Sequence, residues 1–259
     1  VCMTTTIADI RQAADVILGI TVETPCSRSL LLSKTSGADI ILKFENHQFT
    51  ASFKDRGALV KLVSLSDSQR KQGIIAMFAG NHAQAVAYHA KRLSITATIV
   101  MPVHTPFNKI ENTRAFGAEV ILFGDGLKEA RHRAEELAAE RNLILIHPYD
   151  DEKIIAGQGT IALEMLASFP DLDLLIVPVG GGGLISGVAV AARAINPDIG
   201  IIGVQTERFP SMKQALAGNP VEFGSRTIAE GIAVKTPGSL TLPIVRELVD
   251  EILLVNEAR

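Results

Sequence analysis

Short apolar runs alternate along the chain with longer amphipathic stretches. Runs rich in isoleucine and valine fall at residues 40–44, 74–77, 97–101, 119–123, 143–147, 174–179 and 200–204. They are continuous rather than strictly alternating, which predicts parallel strands buried on both faces. Between them, apolar positions recur at helical spacing. The clearest case is 127–141, where Leu127, Ala130, Ala134, Leu137 and Ala138 share one face. Glu129 and Arg133 stand four apart there, an order that predicts an ion pair. The alternation predicts an α/β protein with parallel sheets and right-handed crossovers. Strands from 74 to about 147 form one compact run of units. The stretches before about Phe53 and after about Asp150 are expected to combine into a second sheet. A cleft between two such domains is a common ligand site.

Composition narrows the classes. The 259 residues are 47% hydrophobic with a formal net charge of −3. That is enough for one large core or two modest ones. The mild acidity gives no electrostatic footprint for nucleic acid or an anionic membrane. No apolar stretch reaches transmembrane length. Two cysteines, Cys2 and Cys26, have no metal or disulfide spacing. A soluble protein of the reducing cytoplasm is expected.

Three segments carry candidate chemistry. The first is the run Gly180, Gly181, Gly182, Gly183, launched from an apolar strand and followed at once by the apolar helix pattern from Leu184. Bare backbone at a helix start lets N–H groups converge on an anion; the bland alternative is a flexible turn. Leu184 follows where a Walker loop needs Lys-Ser/Thr, and the spaced dinucleotide fingerprint is missing. A phosphate other than that of ATP or NAD fits better. The second segment is Lys43 to Ala58, where Ser52 or Thr50 can cap a helix over 58–65. Lys54 then lies near the helix start, where the dipole and desolvation lower an amine's pKa. Most lysines, by contrast, are simply solvated. The third is Met77 to Ala85, where Gly80 permits a tight turn and Asn81 with the following N–H groups can face a carboxylate. His82 is either a base or a packing residue.

The chain resembles the threonine dehydratase (threonine ammonia-lyase) and serine dehydratase group of pyridoxal-phosphate enzymes, with the tryptophan synthase β-like fold. The matching stretches are Phe49-Thr-Ala-Ser-Phe-Lys-Asp-Arg-Gly-Ala58, Ala79-Gly-Asn-His-Ala-Gln84, His147-Pro148, Ala156-Gly-Gln-Gly-Thr160, Pro178-Val-Gly-Gly-Gly-Gly-Leu-Ile-Ser-Gly187 and Ala229-Glu-Gly-Ile-Ala-Val-Lys235. The resemblance implies two open parallel-sheet α/β domains with pyridoxal 5'-phosphate in the cleft. Residues 1–52 and 150–259 would form the cofactor domain, and 53–149 the smaller domain. Lys54 would bond the cofactor and take the substrate's α-proton. Phe53 would pack near the ring, and Asn81 would bond its hydroxyl. Gly180 to Gly183 with Leu184 would cradle the phosphate, with Glu230 and Gly231 alongside. Ser52, Ala79, Gly80, Asn81 and His82 would bind the substrate carboxylate.

The implied reaction is deamination of L-threonine, and of L-serine, to 2-oxobutanoate or pyruvate plus ammonia. A small amino acid is the expected partner, in a homodimer or homotetramer. Alternatives are an impaired cofactor-binding fragment, or a relative of serine racemase or hydroxyaspartate dehydratase. Racemases resembling this chain carry a serine where Ala79 stands, and Ala79 cannot move a proton. The divalent-metal site of such relatives uses a glutamate and an aspartate; here Gln205 and Ser211 occupy those places, so no metal is expected. Phe78 stands where the group usually has serine. The group's segment facing the pyridine nitrogen lies beyond Arg259, so an incomplete cofactor domain with one exposed sheet edge is expected.

Overall fold

The computed structural model describes residues 5–77 and 80–257. In chain order the elements are α1 (Ile7–Ile17), β1 (Cys26–Arg28), α2 (Leu30–Ser36), β2 (Ile41–Lys43), α3 (Lys54–Val63), α4 (Asp67–Gln72), β3 (Ile74–Met77), α5 (Asn81–Arg92), β4 (Ala97–Met101) and α6 (Phe107–Ala115). They continue with β5 (Glu119–Leu122), α7 (Leu127–Glu140), β6 (Ile144–Leu145), α8 (Glu152–Ser168), β7 (Leu174–Pro178), α9 (Gly183–Ile195), β8 (Gly200–Thr206), α10 (Ser211–Leu216), α11 (Thr241–Leu248) and β9 (Glu251–Val255). Among the described residues no helix is long and apolar enough to cross a membrane.

The units from Ile74 onward form a four-stranded parallel sheet in the order β5-β4-β3-β6. β3 and β4 are buried except for Met77 at the end of β3, as their continuous apolar runs predict. A second parallel sheet has the order β7-β8-β9. Its core gathers Leu175, Val177 and Ile201 with residues of α1, α8 and α9, including Ile10, Ile155 and Ile185.

Several expectations need correction. The strand expected at 40–44 is not parallel. As β2 it pairs antiparallel with β1, which the apolar pattern did not reveal. Among the described residues, β1-β2 and β7-β8-β9 are separate sheets, so the N-terminal and C-terminal stretches do not pair directly. The other edge of β2 and the outer edge of β7 line a single cavity of about 1100 Å³. Nor is β7 buried on both faces: Leu174 and Ile176 are 41% and 61% exposed. β9 also escaped the sequence reading.

Helix α7 matches its predicted span and buries Ala130, Ala134 and Leu137. Its expected ion pair does not form. Glu129 instead accepts the backbone N–H groups of Asp125 and Gly126, while Arg133 reaches Glu136 and Glu140. A carboxylate in the first turn gains more from free N–H groups and the dipole than from an exposed partner.

Candidate active site

Helix α3 starts at Lys54, four residues before the expected helix, and its N-cap Phe53 makes no side-chain cap bond. The expected caps act differently. Ser52 Oγ accepts the Lys54 N–H at 3.4 Å, and Thr50 bonds Asp55. The Lys54 ammonium donates to the Pro148 carbonyl at 2.6 Å and lies 5.2 Å from the Phe53 ring centre. Burial pulls its pKa down to about 8 from the ordinary lysine value. A substantial share of this amine is neutral near pH 8, where a solvated lysine is almost wholly protonated.

Across the site, α9 begins at the glycine run. Gly181, Gly182 and Gly183 are buried, and Gly182 adopts a left-handed φ of 99°. Among the described residues, no acceptor takes a hydrogen bond from the backbone N–H groups of Gly180 through Ile185. Six adjacent donors at the positive end of a 13-residue helix make an anion site without a cation. Side chains cannot be added there. A Cβ on Gly181 would run into the Tyr149 ring, and one on Gly182 would lie 2.6 Å from Met212 Cε and from Thr241 Oγ1.

The segment 147–150 joins these two parts. Pro148 receives Lys54, and Tyr149 packs on Gly181 and Gly183. Tyr149 donates its hydroxyl to the Thr236 carbonyl at 2.9 Å. Asp150 accepts from the N–H groups of Ser239 and Leu240 and from the Ser239 hydroxyl. This places Thr241, whose hydroxyl donates to the Gly181 carbonyl at 2.6 Å. Tyr149, Asp150 and Thr241 were not singled out from the sequence. The one available signal was His147-Pro148 just beyond a parallel strand's C-terminal end, where α/β proteins place ligands.

The third segment also faces this region. Gly80 caps α5 without a side-chain bond, Asn81 is exposed and His82 is buried. His82 Nε2 lies 3.2 Å from the Ile146 carbonyl, and its Nδ1 has no partner among the described residues. Burial, then the Lys54 charge, pull the His82 pKa down to about 3. Burial likewise takes His147 down to about 4. Both rings are neutral at physiological pH. Phe78 and Ala79 lie outside the described residues.

Glu230 and Gly231 end up differently from the remaining candidates. The Glu230 carboxylate is exposed and accepts from Lys109 at 2.8 Å, and Gly231 is exposed as well. The residues that follow approach the glycine run instead: a Cβ on Gly180 would lie 2.9 Å from Val234 Cγ2 and 3.3 Å from Ile232 Cα. Gln205 bonds the Lys213 N–H and the Val179 carbonyl, and Ser211 donates to the Val234 carbonyl. Both side chains are spent on local structure.

These parts suit a phosphorylated aldehyde: free amides for the phosphate and a partly neutral amine for the carbonyl carbon. A family model described as pyridoxal-phosphate dependent enzyme matches residues 17–259. The chain is 47% identical over 254 residues to the L-threonine ammonia-lyase of Thermotoga maritima, covering 97% of this chain and 63% of that protein. It is 47% identical over 257 residues to the L-threonine dehydratase catabolic TdcB of Staphylococcus aureus, covering 97% of this chain and 73% of the relative. The chain thus spans less than two thirds of the first relative's length. Among solved structures, maize serine racemase superposes with a TM-score of 0.94 at 37% identity, covering 98% of this chain and 78% of the racemase. The T.th. threonine deaminase superposes at 0.91 with 40% identity, covering 98% of this chain and 83% of the deaminase. With a bare amide run and a half-buried amine joined through residues 147–150, the chain belongs to the pyridoxal-phosphate dependent enzyme family, in its tryptophan synthase β-like fold.

Proposed function

We propose that the chain carries the core of an ammonia-lyase that converts L-threonine, and L-serine, to 2-oxobutanoate or pyruvate plus ammonia. The observation that carries the reading is the half-buried Lys54 amine, held on the Pro148 carbonyl, together with the free amides of Gly180 to Ile185. The 47% identity to the threonine ammonia-lyase and dehydratase supports the choice of substrate. Lys54 and the amides of Gly180 to Leu184 would hold pyridoxal phosphate, with Asn81 and Phe53 toward its ring and the turn at Glu230 and Gly231 alongside. When bound, the cofactor supplies an electron sink for charge developing at the substrate's α-carbon.

The chain's own residues do the rest. Lys54 Nζ, whose pKa burial brings down to about 8 in the free protein, would be the base for the substrate's α-proton. The first amides of α5, with Ser52 and Gly80, hold the substrate carboxylate at the helix's positive end, and Ala79 belongs to the same expected set. Neutral His82 adds no charge there and packs α5 against the Ile146 carbonyl. The division into 1–52 with 150–259 and 53–149 belongs to this reading, supported by the two separate parallel sheets. So does assembly into a homodimer or homotetramer, supported by α2, which buries no residue and exposes Leu30 and Leu31 at 80% and 75%. Cytoplasmic residence rests on cysteine usage, with Cys26 a free thiol.

Serine racemization is the second reading, favoured by the superposition on maize serine racemase. It needs a proton donor on the far face of the substrate, and Ala79 has none. The test supplies purified protein with pyridoxal phosphate and L-threonine or L-serine. Formation of 2-oxo acid and ammonia that is lost in Lys54→Ala supports the lyase. D-serine without 2-oxo acid supports the racemase. Neither product, in protein that has bound the cofactor, refutes both.

A further inference from the structure

Beside Lys54 lies a buried Asp–His pair that the reaction itself does not use. Asp55, on α3, and His89, on α5, are both 0% exposed, and His89 Nε2 lies 3.1 Å from Asp55 Oδ1. The carboxylate has only acceptors, so the ring donates through Nε2. His89 Nδ1 has no partner among the described residues. Asp55 takes two further donors from the turn just before Lys54: the Thr50 N–H at 2.9 Å and the Thr50 hydroxyl at 3.0 Å.

That turn is strained and held from two sides. Ala51 has a φ of 57°, a left-handed conformation that a non-glycine residue keeps only under constraint. The Phe49 ring stacks on Tyr88 at 5.5 Å, and Tyr88 meets His89 edge-on at 4.9 Å. Residues 49–53 are thus fastened to α5 through Thr50–Asp55–His89 and through Phe49–Tyr88. Helix α5 also carries Asn81 and His82 at its first turn. The pair therefore ties the lysine-bearing turn to the helix that presents the carboxylate site.

We propose that Asp55 and His89 are positioning residues for Lys54, locking the 49–53 turn and α3 onto α5. The proposal rests on Lys54 being the cofactor lysine. An asparagine keeps an acceptor for the Thr50 N–H only by turning its NH₂ toward the Thr50 hydroxyl and His89, which must then switch from donor to acceptor and leave a buried Nδ1–H on His89 unpaired. Replacing both members by leucine removes the pair without leaving one charged partner alone, and strands the Thr50 N–H and hydroxyl that the pair held.

The experiment incubates each purified protein with pyridoxal phosphate, traps the lysine adduct with borohydride, and follows labelling of Lys54 by peptide mass spectrometry. Hydrogen exchange of residues 49–53 without cofactor, and melting temperature, are measured in parallel. In the parent, Lys54 is labelled and the Thr50 amide is protected. In Asp55→Asn and in the double variant Asp55→Leu with His89→Leu, labelling slows at least ten-fold and Thr50 protection is lost. The melting temperature shows that each variant is folded at the temperature of labelling. Parental labelling rate and parental Thr50 protection in either folded variant overturn the proposal. If the parent is not labelled at Lys54, the cofactor reading fails, and the exchange data alone still decide whether the pair locks the turn. Should both Asp55 variants fail to fold, Thr50→Val carries the test. It is isosteric and loses one bond to Asp55, so several-fold slower labelling is expected and an unchanged rate overturns the proposal.

Discussion

Gly182→Ala tests whether the glycine run is a built cradle or a loose turn. Two costs add at this residue. Its φ of 99° lies where an L side chain is disfavoured, at about 1–2 kcal/mol. The new Cβ would also lie 2.6 Å from Met212 Cε and from Thr241 Oγ1, against an ordinary carbon contact of about 3.5–4.0 Å. Overpacking of this kind costs about 1–3 kcal/mol. Thr241 cannot yield freely, because its hydroxyl holds the Gly181 carbonyl at 2.6 Å and its residue is fully buried. The sum is about 2–5 kcal/mol. If the loop keeps its place, the apo protein loses that stability and melts roughly 5–15 °C lower for a chain of this size. If the loop moves instead, its amides lose their aim and pyridoxal phosphate binds more weakly, about ten-fold for every 1.4 kcal/mol. The assay pairs melting of apo protein with cofactor titration by visible absorbance. Gly126→Ala is the control, since its φ is −140° and a Cβ there meets nothing within 4 Å. A Gly182→Ala protein with parental melting and parental cofactor affinity refutes the cradle.

Four further outcomes are expected. The Lys54 pKa falls from 10.5 to about 8 on folding, so the unfolded chain binds more protons between those values and stability rises with pH across that window. Lys54→Met should therefore stabilise apo protein at pH 7 by about 3 kcal/mol, shrinking by about 1 kcal/mol at pH 9 in denaturant titrations. His82 and His147 have folded pKa values of about 3 and 4 against 6.5 unfolded. Stability is lost as pH falls below about 6.5, by up to ~2.7 kcal/mol per unit while both titrate, and denaturation midpoints at pH 7.5 and pH 5 report it. Glu164→Ala removes the carboxylate partner of the buried Lys43 and one of the two that hold Arg56, which keeps Glu45, and should cost about 3–5 kcal/mol of unfolding free energy. The Gln158 amide is buried with neither end partnered among the described residues, so Gln158→Leu should raise the melting temperature, by about 1–3 kcal/mol of relieved desolvation.

The glycine run was legible because its chemistry sits in consecutive residues: bare backbone, then a helix. Lys54 and Asn81 became legible through the motifs around them, since neither residue type is informative alone. Tyr149, Asp150 and Thr241 were not, because their partners lie 60 to 90 residues away in sequence. β1 reads Cys-Ser-Arg and exists only through pairing with β2. Glu129 fits an ion-pair pattern, yet a local cap decides its partner. Asp55 and His89 sit on different helices, and no period along either one announces the other.

The open edge of β7 bears on the same site through one residue. The Val179 N–H bonds the Val204 carbonyl, and the Gly200 N–H bonds the Asp173 carbonyl. Odd-numbered residues of β7 therefore turn their backbone groups toward β8, and Leu174, Ile176 and Pro178 turn theirs toward the cavity shared with β2. Any strand entering there finds donors and acceptors at Leu174 and Ile176. At Pro178 it finds no N–H, so pairing ends two residues before the glycines. The amides of Gly180 to Ile185 are thus kept out of the sheet by a proline and out of the helix ladder by their place at its start. Both constraints act within the described residues and leave these amides without a protein acceptor.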